Sequence, residues 1–84
     1  MKIHDLKITR EYFDEVISGN KTFEIRKNDR EFMRGDVLLL REIDSGYDGI
    51  HGRLYTERMK AVRVTYITDY EQKSRYVVMG ISLI

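Results

Sequence analysis

Only one stretch of this sequence has the spacing of an amphipathic helix; elsewhere its apolar residues alternate or run together, as strands require. In REYFDEVIS, Tyr12, Phe13, Val16 and Ile17 fall at i, i+1, i+4 and i+5, which predicts one apolar stripe on a short helix over 10–18. Thr9 is a good N-cap, and Glu11 stands near the positive end of the helix dipole. Gly19, with Asn20 able to share the role, supplies the left-handed residue that commonly ends a helix.

Five strands are expected around that helix. IHDLKI (3–8) sets His4, Leu6 and Ile8 on one side and Ile3, Asp5 and Lys7 on the other. TFEIRK (22–27) sends Phe23 and Ile25 inward, leaving Thr22, Glu24 and Arg26 on the opposite face. VLLLREI (37–43) is the most apolar run and reads as a strand buried on both faces. MKAVRVTYIT (59–68) alternates Val62, Val64 and Tyr66 against Ala61, Arg63 and Thr65, and YVVMGISLI closes the chain. Between these lie NDREFMRGD, anchored by Phe32 and Met33 and turned at Gly35-Asp36, and the polar connection DYEQKSR. The segment DSGYDGIHGR (44–53) holds three of the six glycines and reads as a mobile loop.

Eighty-four residues make one domain, 1–84, near the lower size at which a core holds a fold without staples. That length leaves no room for a parallel sheet with several crossover helices. The expected class is mainly β, α+β by content: a small, partly closed β-barrel of about five mostly antiparallel strands, with one helix between strands 1 and 2. No proline is present, so turns must be built from Gly, Asn and Asp. The absence of cysteine fits a reducing cytoplasm, and no run of about eighteen apolar residues occurs, so a soluble, intracellular chain without a membrane partner is expected.

Fifteen Lys and Arg against fourteen Asp and Glu leave a net charge of +1. A basic patch must therefore come from local arrangement rather than from excess. One stretch stands out: GNKTFEIRKND (19–29), where Lys21, Glu24, Arg26, Lys27 and Asp29 crowd a short strand. Glu24 and Arg26, two residues apart on one face, can pair laterally. Taken alone, that is a surface ion pair worth at most about 1 kcal/mol. Lys21 taken alone is a lysine at a helix C-terminus, favoured by the dipole; its functional readings are a phosphate contact or, if desolvated, a base.

Gly19-x-Lys21-x-x-Glu24-x-Arg26 resembles the GxKxxExR signature of the ASCH domain, a branch of the PUA-like β-barrels. The likeness extends through His4-Asp5-Leu6-Lys7, KTFEIRKNDR (21–30), GDVLLLRE (35–42) and YVVMGI (76–81). That set looks like the short single-domain ASCH-like family of bacteria and phages described as carrying an RNA-binding motif. The resemblance implies a cleft between barrel and helix, lined by the signature, with RNA or a nucleotide-like molecule as ligand. In such a cleft a guanidinium held by a carboxylate presents its remaining donors to a phosphate or a base edge.

The candidate ligand-binding residues are thus Lys21, Glu24, Arg26, Lys27, Asp29, His4 and Tyr47. His4 shares a face with Leu6 and Ile8, where a lone histidine is most often a hydrogen-bonded core residue; proton chemistry would need a partner that the sequence does not identify. Tyr47, in the glycine-rich loop, is the preferred stacking residue, whereas Tyr66 and Tyr76 are expected partly in the core. A second ASCH-like branch hydrolyses an acetylated cytidine with a lysine, a threonine and a glutamate. Lys21 would match its lysine, but Glu24 occupies the place of its threonine, so binding is favoured over catalysis. The alternative is a small hydrolase acting on a modified nucleoside or on RNA. His4 and His51 lack ligand spacing, and neither a metal nor an organic cofactor is expected.

Overall fold

A computed structural model describes all of residues 1–84. Its elements follow in the order β1 (Ile3–Thr9), α1 (Arg10–Ile17), β2 (Phe23–Lys27), β3 (Val37–Ile43), β4 (Tyr55–Thr68) and β5 (Tyr76–Leu83). The five strands form one curled half-barrel sheet in the order β1-β3-β4-β5-β2. The pair β1–β3 is parallel and the other three pairs are antiparallel. The expected architecture is therefore present. No helix is long and apolar enough to cross a membrane.

The core fills the concave side. Leu6 and Ile8 from β1, Leu38 and Leu40 from β3, Val62 and Val64 from β4, and Val77, Met79 and Ile81 from β5 meet Phe13 and Val16 of α1 and Phe32. Alternation places the β1 and β5 residues there, every second side chain facing one way. Only Phe13 and Val16 of the helical stripe are buried; Tyr12 and Ile17 lie at its exposed margins. An eight-residue helix seats a narrow face, and four apolar positions are more than that face can hold. Thr9 adopts the extended N-cap backbone, but its hydroxyl makes no capping bond. Gly19 takes the left-handed conformation, at φ 84°, that the helix end requires.

Several expectations are corrected. β2 is turned over: Phe23 and Ile25 face out, and Glu24 faces the interior at 4% exposure. β3 is buried along its inner row of Leu38, Leu40 and Glu42, which ends in a charge; on the other face only Val37 is buried, while Leu39, Arg41 and Ile43 are half-buried. Met33 is exposed, so Phe32 alone anchors its segment. β4 begins at Tyr55, four residues earlier than the alternation indicated. A register shift between Val64 and Tyr66 also interrupts β4's period. This bulge keeps Val64 in the core, returns Ile67 to it, and throws Tyr66 outward at 62% exposure.

The outer strands of the sheet are β1 and β2, and the curl brings them face to face. They are joined by side chains. The Arg26 Nη2 donates to the Lys7 carbonyl at 2.7 Å, and the Arg30 Nη1 to the Asp5 carbonyl at 2.9 Å. Two arginines thus cap alternate carbonyls on the free edge of β1, which would otherwise present unpaired acceptors.

Candidate functional site

A cleft of about 470 Å³ opens at this side-chain-closed seam, lined by Lys7, Ile8, Thr9, Tyr12, Lys21, Phe23, Glu24, Ile25 and Arg26. β1 and α1 supply one wall, and β2 with the residue leading into it supplies the other. The Glu24 carboxylate is the anchor. Its Oε1 accepts from the Lys21 Nζ at 2.5 Å and its Oε2 from the Arg26 Nε at 2.9 Å. Lys21 also donates to the Phe23 carbonyl at 2.7 Å. A buried carboxylate is tolerable only when paired and hydrogen-bonded, and here two cations share one acid.

That sharing leaves donors over. Arg26 commits Nε to Glu24 and Nη2 to Lys7, so both hydrogens of Nη1 remain for another acceptor. Among the lining residues three cations stand against one carboxylate, which gives the cleft a positive field. The Lys21 ammonium lies 4.9 Å from the Phe23 ring centroid and 5.5 Å from that of Tyr12, and both rings are largely exposed. Cation–π attraction holds this group of two rings and one ammonium together at the mouth. The Thr9 Oγ1 is buried at the cleft wall without a hydrogen-bond partner in the protein.

The structure brings together Lys21, Glu24 and Arg26 of the residues singled out from sequence; the other four lie outside the cleft lining. Lys27 and Asp29 are exposed beyond it, with Asp29 4.0 Å from Arg30. Tyr47 is half-buried in the 44–53 loop. His4 is a core residue whose Nε2 lies 2.8 Å from the Asp36 Oδ2, with its ring edge-on to Phe32 at 4.8 Å. Asp36 is the partner that the sequence did not identify. Burial alone would raise the Asp36 pKa, but the hydrogen bonds from His4 and from the Lys2 and Met33 amides hold it at about 2. The pair fastens the start of β3 to β1.

Sequence reasoning missed Tyr12 and Lys7, and the signal for Tyr12 was present. A stripe too wide for an eight-residue helix must leave its marginal residues outside.

A second charged group was also missed. Glu42 accepts from the Arg58 Nε at 3.0 Å and from the Thr56 Oγ1 at 2.5 Å, and the Arg58 Nη2 bonds both Glu42 and Asp14. The guanidinium lies 4.7 Å from the Phe13 ring centroid. Arg58 holds the Glu42 pKa below the ordinary glutamate value despite burial. A register shift in β4, with Glu57 at φ 77°, aims both partners at the end of β3.

Among curated proteins, the chain is similar to the "Uncharacterized 12.9 kDa protein in GpA 3'region" of Escherichia phage P2, with 41% identity over 68 residues. The match covers 81% of this chain but 56% of that protein, so the chain spans little more than half of its relative's length. A family model matches residues 3–81, which include the helix, the first four strands, β5 as far as Ile81 and all nine residues that line the cleft. On that match, the chain belongs to the family described as Domain of unknown function (DUF3850).

Proposed function

We propose that this protein binds RNA or a nucleotide-like ligand in the cleft around Lys21, Glu24 and Arg26, as a small ASCH-like module of the PUA-like class. The observation that carries the reading is Arg26: its guanidinium is fixed at two points, keeps Nη1 free, and stands in a cleft with more cations than acids. A guanidinium oriented in this way suits a phosphate or the acceptor edge of a base. The exposed rings of Phe23 and Tyr12 offer π-faces beside it, as single-stranded ligands require. The unpartnered Thr9 hydroxyl is a further polar group that a ligand would satisfy.

Catalysis has less support. Both oxygens of Glu24, which takes the place of the hydrolase threonine, are engaged by Lys21 and Arg26. Thr22 lines a different groove, with Val16, Val62 and Ile81.

The test is titration of a 5′-mononucleotide and of short single-stranded RNA into the wild type and Arg26→Ala, at two salt concentrations. Saturable binding that the substitution weakens is expected. No binding by the wild type, or an unchanged affinity in the variant, overturns the reading. Turnover of acetylcytidine or RNA that disappears in Lys21→Ala would replace it with the hydrolase.

A further inference from the structure

The convex side of the sheet carries a feature that the cleft does not use. Across 23–27, 63–68 and 76–83 the single acidic residue is Glu24, and it is turned inward. In a chain with fourteen acidic residues, the outer face of these three neighbouring segments therefore shows none. Its charges are positive: Lys27 on β2 and Arg63 on β4, both exposed. Aromatic rings lie between them. Phe23 and Tyr66 both pair with Gly80, one from each side, so the two residues stand in one row across β2, β5 and β4.

Gly80 presents no side chain between those rings. A Cβ built there would lie 2.9 Å from the Thr65 Oγ1, so any larger residue would have to displace that hydroxyl beside the bulge that turns Tyr66 outward. The neighbouring row, Ile25 against Val78, continues the apolar surface. Phe23 and Tyr66 are rooted two strands apart, roughly 10 Å, so each can offer its face to a separate base. Open, acid-free sheets with aromatic residues on neighbouring strands suit single strands, because each base stacks on a ring while flanking cations meet the phosphates.

We infer that the outer face of β2, β5 and β4 is a second binding surface, on which single-stranded RNA leaving the cleft stacks its next bases over Phe23 and Tyr66. Two observations select this occupant: the charge of the face complements a polyanion, and Phe23 also forms the rim of the cleft. The inference rests on the cleft reading above. It deepens that reading from a nucleotide-sized ligand to a strand of several nucleotides.

The experiment measures the affinity of a mononucleotide and of an eight-nucleotide single-stranded RNA for the wild type, Tyr66→Ala, Lys27→Glu and Arg26→Ala. Sedimentation and thermal unfolding of each variant accompany the titrations. Tyr66 is largely exposed, so its truncation should leave folding intact. The octamer should bind the wild type at least tenfold more tightly than the mononucleotide. Tyr66→Ala should weaken the octamer by about tenfold, the scale of one lost base–aromatic stack, and leave the mononucleotide unchanged. Lys27→Glu should flatten the salt dependence of the octamer alone.

Equal affinities for both ligands, with Tyr66→Ala silent, overturn the inference and spare the cleft if Arg26→Ala still weakens both. Octamer binding lost in Tyr66→Ala but kept in Arg26→Ala removes the cleft and overturns the inference as stated, because the strand then meets the face without passing from the cleft. Failure of the wild type to bind either ligand overturns both. If Tyr66→Ala instead shifts self-association and leaves RNA affinity unchanged, the face belongs to a second copy of the chain and the inference fails.

Discussion

Glu24 stands on the edge strand β2, and Glu42 near the end of the interior strand β3. Both are buried, at 4% and 3% exposure, and each holds an arginine. Around Glu24, one acid is shared by two cations, Lys21 and Arg26. Around Glu42, one cation, Arg58, is shared by two acids, Glu42 and Asp14. The first group has positive charge and donors to spare at an open seam. In the second the direct ion pairs leave acids in excess, with Arg10 acting on Glu42 from further off, and the shared cation is drawn against Phe13 and tied to the helix. The same pairing thus gives a candidate ligand site in one place and a clasp between helix and sheet in the other; what separates them is which sign is in surplus.

Breaking the scaffold beneath the clasp should have the largest effect. Phe13 is fully buried and lies beneath Arg58, so Phe13→Ala should cost roughly 3–5 kcal/mol in urea unfolding through the cavity it leaves. A loss as small as that of an exposed residue would show that α1 is only loosely docked.

Arg58→Ala comes next and should lower the melting temperature by several degrees while leaving nucleotide affinity unchanged, because Glu42 keeps only Thr56 as a partner. The pH dependence has a defined sign. Glu42 titrates below its ordinary value of 4.5 in the folded protein, so its contribution is present above that pH and fades as acid protonates the folded carboxylate. The stability gap between wild type and Arg58→Ala should therefore be widest near neutrality and narrow below about pH 4.5. A gap that widens in acid would refute the clasp.

Arg26→Ala should reverse that pattern. Lys21 still neutralises Glu24, so the stability loss should stay within about 2 kcal/mol, while ligand affinity falls roughly 10- to 100-fold with the lost charged hydrogen bonds. If Arg26→Ala proves as destabilising as Phe13→Ala and leaves affinity intact, both arginines are clasps and the contrast disappears. The smallest stability effect belongs to Phe23→Ala. At 43% exposure its loss should cost no more than about 1 kcal/mol, and it should be read out in RNA affinity rather than in unfolding.

The sequence by itself determined the kind and order of the elements, because a 3.6-residue stripe and period-2 alternation are local properties of the chain. It also determined the inner row of β1, and the closeness of Lys21, Glu24 and Arg26 within six positions. Tertiary structure decided which way β2 faces. Alternation separates the two faces of a strand without saying which is inside, and hydropathy points to Phe23 and Ile25. Burying Glu24 instead depends on two cations that neutralise it and on the Lys7 carbonyl of β1, nineteen positions away, that receives Arg26. The outward turn of Tyr66 likewise depends on a bulge set by pairing with β5, and the Glu42–Arg58 clasp on residues far apart in the chain. Each of these outcomes is fixed by partners that meet only when the sheet curls, so no local pattern in the sequence encodes it.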